Sequence, residues 1–169
     1  MISFTPQPDG RTHRIESEQF VARPRDEVFP FFADAANLEA LTPPFLGFQI
    51  LTPAPIAMQA GALIDYRIRL HGVPITWRTE ITVWEPPYRF VDEQRRGPYQ
   101  LWRHEHLFEE VNGGTRIIDR VDYRVPGWFL AGLINRFYVQ GDLQKIFAYR
   151  RTQIDALLGP NAAQSQPSH

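Results

Sequence analysis

No cysteine occurs in the 169 residues, so disulfides, thiolate metal ligands and thiol nucleophiles are excluded together. Nor is there a run of basic residues. The formal charge is −1, and without a concentrated positive patch the electrostatic footprint of DNA or RNA binding is missing, so nucleic acid is not an expected partner. No stretch of about 18 apolar residues is available to span a bilayer. The start, MISFTPQPDGRTHR, lacks a charged segment leading into an apolar one. A soluble, cytoplasmic protein without stable membrane insertion is the expectation. Glycine-rich phosphate loops and a GxSxG elbow are also absent, which leaves the nucleotide and hydrolase readings without support.

What the chain does have is 43% hydrophobic residues and 13% aromatics, enough to build a core or line a cavity within one domain. Its 15 prolines mostly punctuate elements. Residues 1–10 read as an N-terminal extension, 11–159 as a single ligand-binding domain, and 160–169, in the polar stretch GPNAAQSQPSH, as a disordered tail. Residues 11 to 22 alternate as a first strand. In RPRDEVFPFFAD the period changes: Asp26 and Glu27 suit a first helical turn, and Val28, Phe31 and Phe32 share a face. Pro30 removes a backbone donor, so this helix should be short or kinked. DAANLEALTPP reads as a second short helix stopped by Pro43 and Pro44.

From residue 46 the period is two, interrupted by TPAP, QAG, HGVP, EPP, GP and NGG, which predicts six strands in an antiparallel meander. After VPGW a helical pattern runs through Leu130, Leu133, Ile134, Phe137, Leu143, Ile146, Phe147, Ile154, Leu157 and Leu158, with a phase break near Gly141. Along the strands, Trp77, Thr79, Ile81 and Val83 oppose Arg78, Glu80, Thr82 and Trp84. Phe90, Asp92 and Gln94 oppose Val91, Glu93 and Arg95, while Ile117, Asp119, Val121 and Tyr123 oppose an arginine-rich set. The sets poor in arginine and glutamate should face inward, toward the terminal helix.

The segment QLWRHEHLFEE, residues 100–110, puts Trp102, His104, His106 and Phe108 on that inner face. A turn at Asn112-Gly113 pairs residues whose numbers sum to 225, placing His106 opposite Asp119 and Trp102 opposite Tyr123. A Gly97-Pro98-Tyr99 loop would likewise set Asp92 opposite His104 and Gln94 opposite Trp102. Both histidines then lie within reach of an aspartate on a neighbouring strand.

NLEALTPP, YRIRLHGVPITWRTEI, WEPPYRFVDEQRRGPYQLWRHEH and TRIIDRVDYRVPG, with IFAYR near the end, resemble the polyketide cyclase/dehydrase-like branch of the START-related SRPBCC superfamily over about residues 15 to 150. The resemblance implies an α+β helix-grip fold. A curved antiparallel sheet, seven-stranded by the periodicity above, would wrap a long C-terminal helix with a ligand cavity between them. It also implies members that bind lipids, polyketides and hormones, some of them enzymes.

Buried aspartates need partners, and His104 and His106 are the candidates for Asp92 and Asp119. Three roles are open for the four residues. They form a structural polar network, or the anchors of a site lined by Tyr66, Ile68, Trp77, Phe90, Gln94, Trp102, Phe108, Tyr123 and Phe137, or a cofactor-free acid–base pair of a cyclase/dehydratase-type lyase or isomerase. His-x-His on one strand face brings two imidazoles within about 7 Å at the backbone, close enough to share zinc with an aspartate. With no third histidine or cysteine in the pattern, no metal site is assigned and no cofactor is expected. The first reading of function is binding of a small hydrophobic, aromatic or lipid-like molecule. The cyclase/dehydratase and a partner-docking module with a vestigial pocket are the alternatives. Trp128, Phe129 and Leu130 read as a gate, a membrane contact or a homodimer contact, with plain capping of the sheet edge beside them.

Overall fold

The structure is a computed structural model and describes residues 1–127 and 139–159. Its strands are β1 (Ile2–Pro6), β2 (His13–Val21), β3 (Gln49–Ile50), β4 (Leu63–Leu70), β5 (Val73–Glu85), β6 (Arg89–Arg96), β7 (Leu101–Val111) and β8 (Gly114–Arg124). They form one antiparallel sheet in the order β1-β2-β8-β7-β6-β5-β4-β3. Helix α1 (Arg25–Ala33) and two 3-10 turns, Ala35–Leu38 and Pro44–Leu46, follow β2, and α2 (Gln140–Leu158) closes the described chain. This is a helix-grip architecture.

The strand count is eight, not the seven expected. The extra strand is β1, in the stretch read as an extension before the domain: Ile2 to Pro6 pair with Ser17 to His13, and Ile2 and Phe4 pack against the core. The turn that returns the chain is built by Asp9, whose Oδ1 accepts from the Arg11 and Thr12 amides, and by Gly10 at φ +67°. Two prolines in so short a stretch hide an edge strand, where a missing donor is tolerated.

Helix α1 is nine residues long with Asp26 and Glu27 in its first turn and Pro30 inside. Its core face is Val28, Phe29 and Phe32. Phe29 therefore takes the buried place expected of Phe31, which is only partly covered. The second short helix is a 3-10 turn, with Asp34 Oδ1 accepting from the Ala36 amide. In β5 the register shifts between Ile81 and Val83, and beyond that bulge the face reverses. Trp84, expected outside, packs instead on Phe29 and Phe90.

Helix α2 buries Leu143, Phe147, Arg150, Ile154 and Leu158, one stripe along its axis. Its C-terminal half is fastened to β2 and the following loop: Gln19 Nε2 donates to the Arg151 carbonyl and to Asp155 Oδ1, and Arg23 Nε to the Leu158 carbonyl. The preceding apolar positions, Leu130, Leu133, Ile134 and Phe137, lie outside the described residues, as do Trp128, Phe129 and the tail 160–169. Among the described residues no helix is long and apolar enough to cross a membrane.

Candidate functional site

Three adjacent central strands deliver the inner-face polar residues. β6 pairs with β7 so that Asp92 faces His104 and Phe90 faces His106. β7 pairs with β8 so that His106 faces Asp119 and Trp102 faces Tyr123. Val111 pairs with Gly114, leaving Asn112-Gly113 as the two-residue turn with Gly113 at φ +86°. The β6–β7 ladder stops at Glu93 opposite Arg103, so Gln94 does not pair with Trp102.

The two imidazoles lie against each other, ring centroids 3.7 Å apart, and each spans both aspartates. His104 Nε2 is 3.0 Å from Asp119 Oδ1, and His106 Nε2 is 2.9 Å from Asp92 Oδ2. The other ring nitrogens cross over: His106 Nδ1 lies 2.9 Å from Asp119 Oδ1, and His104 Nδ1 lies 3.7 Å from Asp92 Oδ2. Phe90 stacks on the His106 ring at 4.1 Å. From α2, Arg150 brings Nε to 3.4 Å from Asp119 Oδ2, with its guanidinium 5.4 Å above the Phe32 ring. Thr79 Oγ1 sits 3.3 Å from Asp92 Oδ1.

Burial works to raise the Asp119 carboxyl, but Arg150 and both histidines outweigh it and hold the group well below the usual carboxylate range. Asp92 is lowered as well: burial acts upward, and the hydrogen bond from His106 with the nearby cationic charge overrides it. The histidines diverge. Burial and the charge of its neighbour push His104 down, whereas for His106 the pull of Asp119 and Asp92 exceeds the burial effect and raises it. The two carboxylates thus share Arg150 and the two imidazoles as their buried partners. A terminal nitrogen of Arg150 also approaches His106 Nδ1 to 3.4 Å, beside Asp119.

This cluster forms one wall of a cavity of about 190 Å³ between the sheet, the α1 region and α2. Tyr66, Ile68, Trp77, Phe90 and Trp102 line it together with Asp92, His104 and His106. Tyr66 stacks on Trp77 at 5.7 Å, and Trp102 meets the Trp77 ring edge-on at 5.4 Å. Trp77 Nε1 is buried and has no hydrogen-bond partner among the described residues.

Other expected lining residues lie elsewhere. Asp119 sits one layer behind the histidines. Gln94 staples the β6–β7 turn, donating from Nε2 to the Tyr99 carbonyl and accepting from its amide. Phe108 packs into the α1 core against Phe29 and Phe32, and Tyr123 is wholly buried beside Tyr99 and His13. Phe137 lies outside the described residues. Missing from the expectation were Arg150, Thr79, Phe32, Tyr99 and Phe147, all of which line the cavity. Arg150 had a readable signal, an arginine in phase with Leu143, Phe147 and Ile154 on the apolar stripe.

A family model described as polyketide cyclase/dehydrase and lipid transport matches residues 21–148. Comparison with curated proteins gives no match. Among solved structures, protein Ms6760 from Mycobacterium smegmatis is similar at a TM-score of 0.64 and 20% identity, with 94% of this chain and 98% of that one covered. TTHA0849 from Thermus thermophilus gives 0.65 and 17%, covering 90% and 99%. Ginseng major latex-like protein 151 from Panax ginseng gives 0.64 and 11%, covering 89% and 100%. At these identities the likeness is one of fold.

Proposed function

Because the chain belongs to the polyketide cyclase/dehydrase and lipid transport family, we propose that it binds a small hydrophobic, aromatic or lipid-like molecule in the cavity between sheet and α2. The observation that carries this reading is a hollow of about 190 Å³ where a domain of this size would otherwise have a packed centre. Packed interiors keep few voids larger than a water molecule. Aromatic walls with polar groups gathered on one side are what a small-molecule site requires.

The polar groups indicate the ligand's character. A buried donor left unmet costs about 1–3 kcal/mol, so the Trp77 Nε1–H favours a ligand with an acceptor oxygen. His104 and Asp92, on the adjoining strands β7 and β6, and Thr79, farther along β5, supply a second polar end.

Native mass spectrometry of the purified protein, followed by titration with aromatic and acyl compounds read by tryptophan fluorescence, tests the proposal. Saturable binding is expected, with Trp77 and Trp102 reporting occupancy. Trp77→Phe should weaken oxygenated members about 5- to 10-fold, the equivalent of one hydrogen bond, and leave their hydrocarbon counterparts unchanged. A protein that purifies empty and binds no member of the panel would remove the reading.

A further inference from the structure

We propose that Asp92, His104 and His106 form a binding site for a first-row divalent transition metal, of zinc-like preference, on the cavity wall. The ligand atoms are Asp92 Oδ2, His104 Nδ1 and His106 Nε2. One donor atom from each of the three residues lies within 4.8 Å of the others. The two imidazole nitrogens stand 3.7 and 2.9 Å from the carboxylate oxygen. Metal–nitrogen and metal–oxygen bonds of about 2.0–2.2 Å place neighbouring ligand atoms roughly 3–3.5 Å apart. The two separations bracket that range, and a small ring rotation of His104 closes the difference.

The nitrogens facing the other way carry the stronger argument. His104 Nε2 and His106 Nδ1 both end on one atom, Asp119 Oδ1, at 3.0 and 2.9 Å. Histidines that ligate metals almost always turn their second nitrogen to a carboxylate or carbonyl, which fixes the tautomer and the ring plane. Here a single buried carboxylate does this for both rings. It is itself held by Arg150 from the opposite helix.

Arg150 also decides which side of the rings a cation occupies. On the Asp119 side its guanidinium stands 3.4 Å from Oδ2 and repels a second cation. On the Asp92 side no arginine or lysine is paired with the carboxylate among the described residues, Arg150 acting there only at longer range, and that side borders the cavity. There the Asp92 side chain retains 18% exposure against 5% for Asp119. The donors are also rigidly mounted. All three belong to paired central strands, Phe90 stacks on His106, and Thr79 holds the second Asp92 oxygen. Two nitrogens and one oxygen leave coordination positions open, as in sites that bind an exogenous molecule. Those positions face the cavity. The His-x-His pattern looked one ligand short on its own strand; the neighbouring strand supplies the third ligand, and β8 supplies the anchor behind the pair.

The test uses the full chain after chelator treatment, with metal alone and no cavity ligand, so that it does not depend on what fills the hollow. Calorimetric titration with Zn²⁺ should give one equivalent, and Co²⁺ should give visible ligand-field absorption of a low-coordinate nitrogen-ligated ion. Asp92→Asn and His104→Gln should each weaken binding at least 100-fold. Asp119→Asn, which disturbs only the positioning of the rings, should weaken it about 10- to 100-fold. His71→Gln, which removes an exposed histidine paired with Asp142 on the far hairpin, should change nothing. Should a site variant fail to fold, X-ray absorption of the zinc-loaded natural protein decides the matter. Two imidazoles in the metal shell support the site. An all-oxygen shell, absence of saturable binding by the folded protein, or equal affinity in Asp92→Asn overturns it.

Discussion

Asp119 is only 3% exposed, yet its carboxyl is held in the charged form. An isolated carboxylate in such a place would neutralise instead. Arg150 on one oxygen and two imidazoles on the other stabilise the charge, and this makes the arginine structurally decisive although it lies far along the sequence. Removing one partner of a buried pair typically costs about 3–5 kcal/mol. Arg150→Met should therefore lower the urea-unfolding free energy by about that amount, and adding Asp119→Asn should recover part of it. A loss below about 1 kcal/mol would mean that the guanidinium does not hold Asp119. The aspartates and histidines were legible because alternation on three strands and a turn of defined length fix who faces whom. Arg150 was passed over although its phase with Phe147 and Ile154 marks it, since a cation is read by default as belonging to the wet side of a helix. Gln94 misled for the converse reason: its inward position is correct for the pleat, but its amide is used up by the backbone of its own turn.

Among the elements, the β7–β8 hairpin sets the site's geometry, because its two-residue turn puts His106 opposite Asp119. Gly114, the first residue after that turn, is pressed against the end of β2. A Cβ there would meet the Val21 carbonyl oxygen at 2.1 Å and the Ala22 Cα at 2.9 Å. These are backbone atoms of a neighbouring strand and cannot swing away. Gly114→Ala should lower the urea midpoint with little change in slope, corresponding to about 2 kcal/mol or more, and should loosen amide protection first along β2 and β8. Unaltered protection there would show that β2 can shift without cost. The glycine could be read as a turn former, but not as a spacer, because that role depends on which strand arrives from elsewhere in the chain. The same limit explains β1, whose pairing partner is set by the Asp9 turn, and Trp84, turned inward by a bulge that alternation cannot reveal.

Taken as one body, the molecule separates two apolar clusters. One lies under α1 and the other where β1, β2 and β8 meet the first turns of α2. Salt bridges such as Arg14–Asp122 and Arg120–Glu16 decorate the convex face; pairs this exposed contribute about 0–1 kcal/mol each. Stability therefore rests on the two clusters and on the fastening of α2 to β2, and the hollow between them contributes little. Unfolding under hydrostatic pressure is favoured by the internal empty space it abolishes, with typical volume changes of about −20 to −100 mL/mol. The unliganded protein should fall toward the large end of that range. A compound that fills the chamber should make the volume change smaller and move the transition to higher pressure, as followed by tryptophan emission in a pressure cell. An identical volume change with and without the compound would mean that the chamber collapses at ambient pressure; otherwise this fold should be unusually compressible at its centre.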